Sequence, residues 1–144
     1  SDVELVFPVH PNPSVRTAVD AEFSGAGRIH CIEPLEYTDF LHLLSRAWLV
    51  ASDSGGVQEE APSLGKPLLV LRDTTERPEV LDCGVGRLVG HSGERLEEML
   101  ETALVDESWF DTVRTTKNPF GKGDAGEQIA SAIERFFTTK TGDA

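Results

Sequence analysis

The sequence is poor in cysteine, in methionine and in basic residues, and it contains no long apolar run. Its 144 residues include 2 cysteines and 1 methionine, Met99. Cys31 and Cys83 lie far apart and lack C-x-x-C spacing, which excludes the common zinc and dithiol motifs and leaves both expected as buried free thiols. His10, His30, His42 and His91 show no H-E-x-x-H or related ligand spacing, so no metal is implied. No stretch approaches the roughly 20 apolar residues that span a membrane, and residues 1–20 lack the basic-then-apolar order of a secretory signal. A soluble, cytoplasmic chain with no membrane partner is expected. Thirteen Lys and Arg stand against 25 Asp and Glu, for a net charge of −12. That sign disfavours nonspecific binding to nucleic acid or anionic lipid, so any phosphate ligand has to be gripped by a local pocket. The chain opens on Ser1 and Asp2 and runs straight into an apolar segment, as a piece of something longer would.

What is present is an alternation of short apolar runs and amphipathic stretches, 39% hydrophobic overall, enough for one domain over residues 1–144 with a single core. Val3 to Val9 reads as a strand buried on both faces, followed by the turn His10-Pro11-Asn12-Pro13 and a helix with Asn12 as N-cap and Pro13 at its first position. Ser24 to Gly27 breaks that helix, and Ile29 to Ile32 forms a second strand. A helix with a Tyr37, Phe40, Leu41, Leu44 stripe comes next. Trp48 to Ala51 then predicts a third strand, Ser52 to Gly56 a helix start, Leu64-Gly65 its stop, and Leu68 to Leu71 a fourth strand. A short helix from Pro78 and a fifth strand, Val85 to Val89, follow. The remainder is helical: one helix capped by Ser92, a short one around Trp109, Phe110 and Val113, and a last one behind the Asp124-x-x-Glu127 pattern, with Thr138 to Ala144 expected to fray. Such alternation predicts an α/β class fold, a three-layer αβα Rossmann-like parallel sheet with right-handed crossovers.

Ligands of such sheets bind at the carboxyl ends of the strands, so the strand-to-helix loops are the candidate sites. Ser54, Gly55 and Gly56 at a helix start expose free N–H groups and a positive dipole end, where a phosphate fits; equally, Ser54 could only cap and the glycines only turn. Glu59 and Glu60 point about 100° apart on that helix, so at most one faces the loop side. A carboxylate there suits a vicinal diol, as in dinucleotide sites, or is a solvated charge near the helix N-terminus. Arg72 and Arg77 flank the following polar loop, where either could grip phosphate oxygens or pair with Asp73, Glu76 or Glu79. His10 and Asp53 sit at strand ends within reach of proton-transfer chemistry, with turn and cap roles favoured for both. No nucleophilic triad can be assembled from spacing.

The run from Asp53 to Pro67, DSGGVQEEAPSLGKP, followed by Arg72 to Glu79, RDTTERPE, resembles the carboxyl-terminal domain of the non-hydrolysing UDP-N-acetylglucosamine 2-epimerases. Pro8-Val9-His10-x-Asn12-Pro13 and Asn118-Pro119-Phe120-Gly121-x-Gly123 extend the resemblance, in the family's order, over nearly the whole chain. It implies one half of a glycosyltransferase B architecture, with the active site in the cleft between two domains and no cofactor. It further implies that Ser54, Gly55 and Gly56 hold the diphosphate of UDP or UDP-N-acetylglucosamine, that Glu60 accepts from the ribose hydroxyls and that Arg77 approaches the nucleotide. Leu35, through its backbone, and the ring of Phe40 would hold uracil. The implied reaction interconverts UDP-N-acetylglucosamine and UDP-N-acetylmannosamine by eliminating UDP to a 2-acetamidoglucal and adding it back at the other face of carbon 2.

The carboxylates that move the carbon 2 proton lie, in that family, in the domain this sequence does not contain, so the isolated chain is expected to be inactive. The family's first strand-helix unit, with its Gly-His-Arg motif, is also missing. Five strands therefore stand where six are expected, and either the first and third pair directly or another chain fills the gap. A homodimeric parent and a self-associating fragment are the corresponding expectations. The alternative function is a nucleotide-sugar binding module of a glycosyltransferase or regulatory protein.

Overall fold

The computed structural model describes residues 3–141. The element order is β1 (Leu5–Pro8), α1 (Pro13–Phe23), β2 (Ile29–Ile32), α2 (Tyr37–Arg46), β3 (Val50–Ser52), α3 (Gly55–Ser63), β4 (Leu68–Val70), α4 (Pro78–Asp82), β5 (Gly86–Leu88), α5 (Gly93–Val105), α6 (Ser108–Thr115) and α7 (Ala125–Thr141). This is the expected α/β, Rossmann-like alternation. The chain divides into two compact units, Ser1–Leu43 and Leu44–Ala144.

In the first unit β1 and β2 pair in parallel, Leu5 opposite Ile29 through Pro8 opposite Ile32. Asn12 caps α1 as its chemistry dictates, its side-chain oxygen accepting from the Ser14 N–H at 3.0 Å with Pro13 at the first helical position. Phe23, at the end of α1, meets Phe7 of β1 edge-on, ring centroids 6.4 Å apart. The strand expected to be buried on both faces is not: Val3, Leu5 and Val6 are between 40% and 46% exposed. Among the described residues its pairing is to β2 alone, and its burial begins only toward Val9. Cys31, expected inside, is likewise exposed on β2, while Cys83 is half-buried; both are free thiols.

The second unit carries the main core. β3, β4 and β5 form a parallel sheet in that order, Val50 opposite Leu68 and Leu68 opposite Gly86. Leu68, Leu69 and Val70 of the middle strand are fully buried, as a strand covered on both faces must be. Val57 and Ala61 of α3, Val80 of α4 and Val113 of α6 are buried with them. Trp109 of α6 donates its indole N–H to the Gly84 carbonyl at 2.9 Å, and the Arg87 guanidinium lies 4.1 Å above its ring. Among the described residues the five strands make a two-stranded sheet in the first unit and a three-stranded sheet in the second.

The segment from Thr138 to Thr141, expected to fray, continues α7; residues 142–144 of that expectation lie outside the described residues. Along α7, Ile129, Ile133, Phe136 and Phe137 are each at least half exposed. No helix among the described residues is long and apolar enough to cross a membrane.

Candidate functional site

The carboxyl end of β3 passes through Ser52, Asp53 and Ser54 into α3. The Ser52 hydroxyl accepts from the Ser54 N–H at 3.1 Å, which tightens the approach to the helix. Ser54 occupies the N-cap position with extended backbone, φ −71° and ψ 130°, yet its side chain makes no capping bond. The hydroxyl and the first N–H groups of α3 are thus left to other partners. The helix ends as the sequence predicts, with Gly65 at φ +62°. The Gly65 N–H donates to the Pro62 carbonyl at 3.2 Å and the Lys66 N–H to the Ala61 carbonyl at 3.0 Å, the paired bonds of a Schellman stop.

Neither Gly55 nor Gly56 has a positive φ. A Cβ added at Gly55 would meet only the Arg77 guanidinium, at 4.0 Å, and one at Gly56 only the Ser54 hydroxyl, at 3.8 Å. These are ordinary contacts, so neither backbone conformation nor packing demands glycine at either position. The missing Cβ atoms instead keep the helix start open to close approach from outside.

Arg77, from the loop between β4 and α4, supplies the cationic side of this opening. Its Nε bonds the Glu59 carboxylate, one turn into α3, and its Nη2 is the group nearest Gly55. The Glu59 bond raises the Arg77 pKa still further above the ordinary arginine value, so the guanidinium keeps its charge. Arg77 thus pairs with an acid other than the three named as its alternative partners. Arg72 does take the surface partner foreseen as its alternative: its Nη1 lies 3.1 and 3.2 Å from the two Glu76 oxygens. Glu60 is half-buried, and its carboxylate makes no hydrogen bond or ion pair among the described residues.

Two residues that composition and spacing passed over, Gln58 and Thr75, organise the site, together with Glu59, whose bond to Arg77 was not foreseen. Gln58 is completely buried, the one polar side chain in the core of the described residues. Its Nε2 donates to the Ser54 carbonyl at 3.2 Å and its Oε1 accepts from the Thr75 hydroxyl, which in turn accepts from the Arg77 N–H at 2.9 Å. The available signal was a glutamine set among the inward-facing Val57, Ala61 and Pro62 of a helix. Asn118 of the Asn-Pro-Phe-Gly segment accepts from the Phe120 N–H at 3.0 Å and donates to the Ser63 hydroxyl at 2.7 Å, fastening that loop to the far end of α3.

His10 is exposed, and its Nδ1 accepts from the Asn12 N–H at 3.2 Å, a turn role. Leu35 and Phe40 are half-buried and belong to the first unit, Phe40 on α2 and Leu35 just before it. In that unit Arg16 of α1 forks onto Glu33, one bond at 2.8 Å, and holds the Glu33 carboxyl below its usual range. This tie is present at neutral pH and is lost as the pH falls through that lowered value. Among the described residues no cluster of three or more His, Cys, Asp or Glu could hold a metal ion.

Parallel strands feeding helices, with a glycine-opened helix start beside a fixed guanidinium, make this an α/β protein of Rossmann type with a site suited to a phosphorylated anion. A family model described as UDP-N-acetylglucosamine 2-epimerase matches residues 1–134, and the chain belongs to that family. It is 48% identical over 136 residues to a probable UDP-N-acetylglucosamine 2-epimerase of Ralstonia nicotianae, a match that covers 94% of this chain and 36% of the relative. The structure resembles the UDP-GlcNAc 2-epimerase of Neisseria meningitidis bound to UDP-GlcNAc, with a TM-score of 0.85, 41% identity and coverage of 92% of this chain and 36% of that one. It also resembles S. aureus MnaA in a co-structure with UDP, with a TM-score of 0.87, 36% identity and coverage of 95% and 38%. The chain therefore spans little more than a third of the length of the relatives it matches.

Proposed function

We propose that this chain is the UDP-binding part of an enzyme that interconverts UDP-N-acetylglucosamine and UDP-N-acetylmannosamine, and that residues 1–144 act as one nucleotide-binding domain of a two-domain architecture. The observation that carries the reading is the pair of glycines the fold does not need, facing a guanidinium the fold holds in place. In this reading the N–H groups of Gly55 and Gly56, the Ser54 hydroxyl and Arg77 receive the diphosphate. Glu60, with no competing partner among the described residues, accepts from the ribose diol. Leu35 and Phe40 contact uracil. The family membership and the UDP and UDP-GlcNAc complexes of its relatives support this assignment.

The chemistry asked of such a part is stabilisation of a leaving group. When the bond between the sugar's anomeric carbon and the diphosphate breaks, negative charge grows on the departing oxygen, and fixed N–H dipoles with a pre-set guanidinium lower that barrier without reorganising. The proton at carbon 2 would be moved by groups outside this chain, so no turnover is assigned to it alone. The parent is proposed to be a homodimer working in the cytoplasm.

Calorimetric titration of the chain with UDP tests the reading. Weak binding in the micromolar to millimolar range is expected, since half a cleft leaves much of the ligand in water. Gly55→Ala should fold as stably as the parent chain or better, by up to about 1 kcal/mol. Its UDP affinity should nevertheless fall at least about tenfold, because the new methyl occupies the ligand's approach. Absence of heat at millimolar UDP, or full UDP affinity in Gly55→Ala, would overturn the assignment.

A further inference from the structure

Two elements have to converge on one ligand in this site, the start of α3 and the Arg72–Pro78 loop. Besides the exposed Arg77–Glu59 pair, the structure joins them through a buried side chain. Gln58 has two hydrogen-bonding ends, and each is committed to a different element. Its Nε2 bonds the Ser54 carbonyl, which also accepts from the Gln58 backbone N–H at 3.3 Å. Its Oε1 receives the Thr75 hydroxyl. The order cannot be reversed. The carbonyl demands a donor from the amide, and the Thr75 hydroxyl, which already accepts from the Arg77 N–H at 2.9 Å, has its one proton left to give.

The geometric consequences are specific. Holding the Ser54 carbonyl toward the helix fixes the plane of the Ser54–Gly55 peptide, and a trans peptide then turns the Gly55 N–H outward, toward the opening. Holding Thr75 fixes the backbone from which Arg77 extends. Gln58 is itself 0% exposed and cannot touch a ligand, so whatever it contributes passes through those two groups.

We propose that Gln58, acting through Thr75, is a positioning residue that holds the helix start and Arg77 in a fixed relation to each other, and so favours nucleoside diphosphates, which can bridge both, over monophosphates, which need only one. The inference rests on the phosphate reading of this site. A ligand that bridges both elements needs their spacing to be held; a ligand that uses one of them does not.

The test is the ratio of UDP to UMP affinity, measured by calorimetry on the parent chain and on three variants. Thr75→Val keeps the side chain's shape and removes the hydroxyl. It should lower UDP affinity about tenfold while changing UMP affinity less than about twofold. Thr75→Ser should restore the parent ratio, because it restores the hydroxyl. Adding Gln58→Met to Thr75→Val should lower the ratio no further, as both changes cut one chain of bonds. If Gln58→Met prevents folding, Thr75→Val and Thr75→Ser decide the matter by themselves. Equal losses for UDP and UMP, or failure of serine to rescue, would overturn the proposal and leave Gln58 a structural residue. A parent chain that binds neither nucleotide would instead refute the phosphate reading on which it stands.

Discussion

Arg77→Met is expected to weaken UDP binding by about 30- to 1,000-fold while uridine binding stays within about twofold of the parent chain. Two effects add. The charge-assisted bonds from the guanidinium to phosphate oxygens are lost, and the Glu59 carboxylate, which the guanidinium now neutralises, faces the diphosphate unpaired. The double variant Arg77→Met, Glu59→Gln should therefore bind UDP more tightly than Arg77→Met alone, though less tightly than the parent chain. Folding stability is not the reason for the loss: the pair is more than a third exposed on both sides, and breaking it should leave the urea midpoint nearly unchanged. Calorimetry with UDP and with uridine, alongside urea denaturation of each variant, separates these contributions. Equal losses for UDP and uridine would remove Arg77 from the phosphate site, and a double variant no better than the single would show that Glu59 exerts no field on the ligand.

The parts of the fold that could be read from the sequence are those specified by neighbours in the chain. Asn12 before Pro13, Ser92 before α5 and Gly65 after α3 carry their caps and stops in residues two to four positions away, and each behaves as its chemistry requires. The fully buried β4 is equally plain, because three large aliphatic residues in a row between polar segments have only an interior to occupy. The exposure of β1 was not readable. An apolar run has the same composition whether one of its edges or both are paired, so Leu5 and Val6 carry no local mark of their surroundings.

The candidate site divides along the same line. Ser54, Gly55 and Gly56 announce a helix start by themselves, loop position made Glu59, Glu60, Arg72 and Arg77 candidates, and the resemblance to a family selected Glu60 and Arg77 from among them. The bonds that hold Arg77 were invisible: Thr75 and Gln58 are 17 positions apart, and Arg77 and Glu59 are 18. No periodicity connects residues on different elements at such separations. Acids nearer Arg77 in sequence looked the better partners for that reason alone, and the fold instead brings the first turn of α3 beneath the loop after β4.

Glu60→Gln should cost about 10- to 150-fold in UDP affinity if the carboxylate accepts both ribose hydroxyls, since a charged acceptor is replaced by a neutral amide that can accept at one end only. The opposite outcome follows if Glu60 is a solvated charge near the start of α3. Removing a negative charge close to a diphosphate would then strengthen UDP binding slightly, and the loss of a favourable interaction with the helix dipole would cost at most ~1 kcal/mol of stability. The sign of the change in affinity thus distinguishes the two roles without reference to its size. The half-buried side chain has no partner among the described residues that the substitution would strand, so the glutamine variant should fold normally and the binding result be read directly. 2′,3′-Dideoxy-UDP provides the matching control. Lacking the diol, it should bind the parent chain about as weakly as UDP binds the variant, and it should be nearly indifferent to the substitution. If UDP binds the variant as tightly as the parent, or more tightly, Glu60 has no part in ribose recognition, and the placement of the nucleotide along the face of α3 has to be redrawn from Ser54 and Arg77 alone.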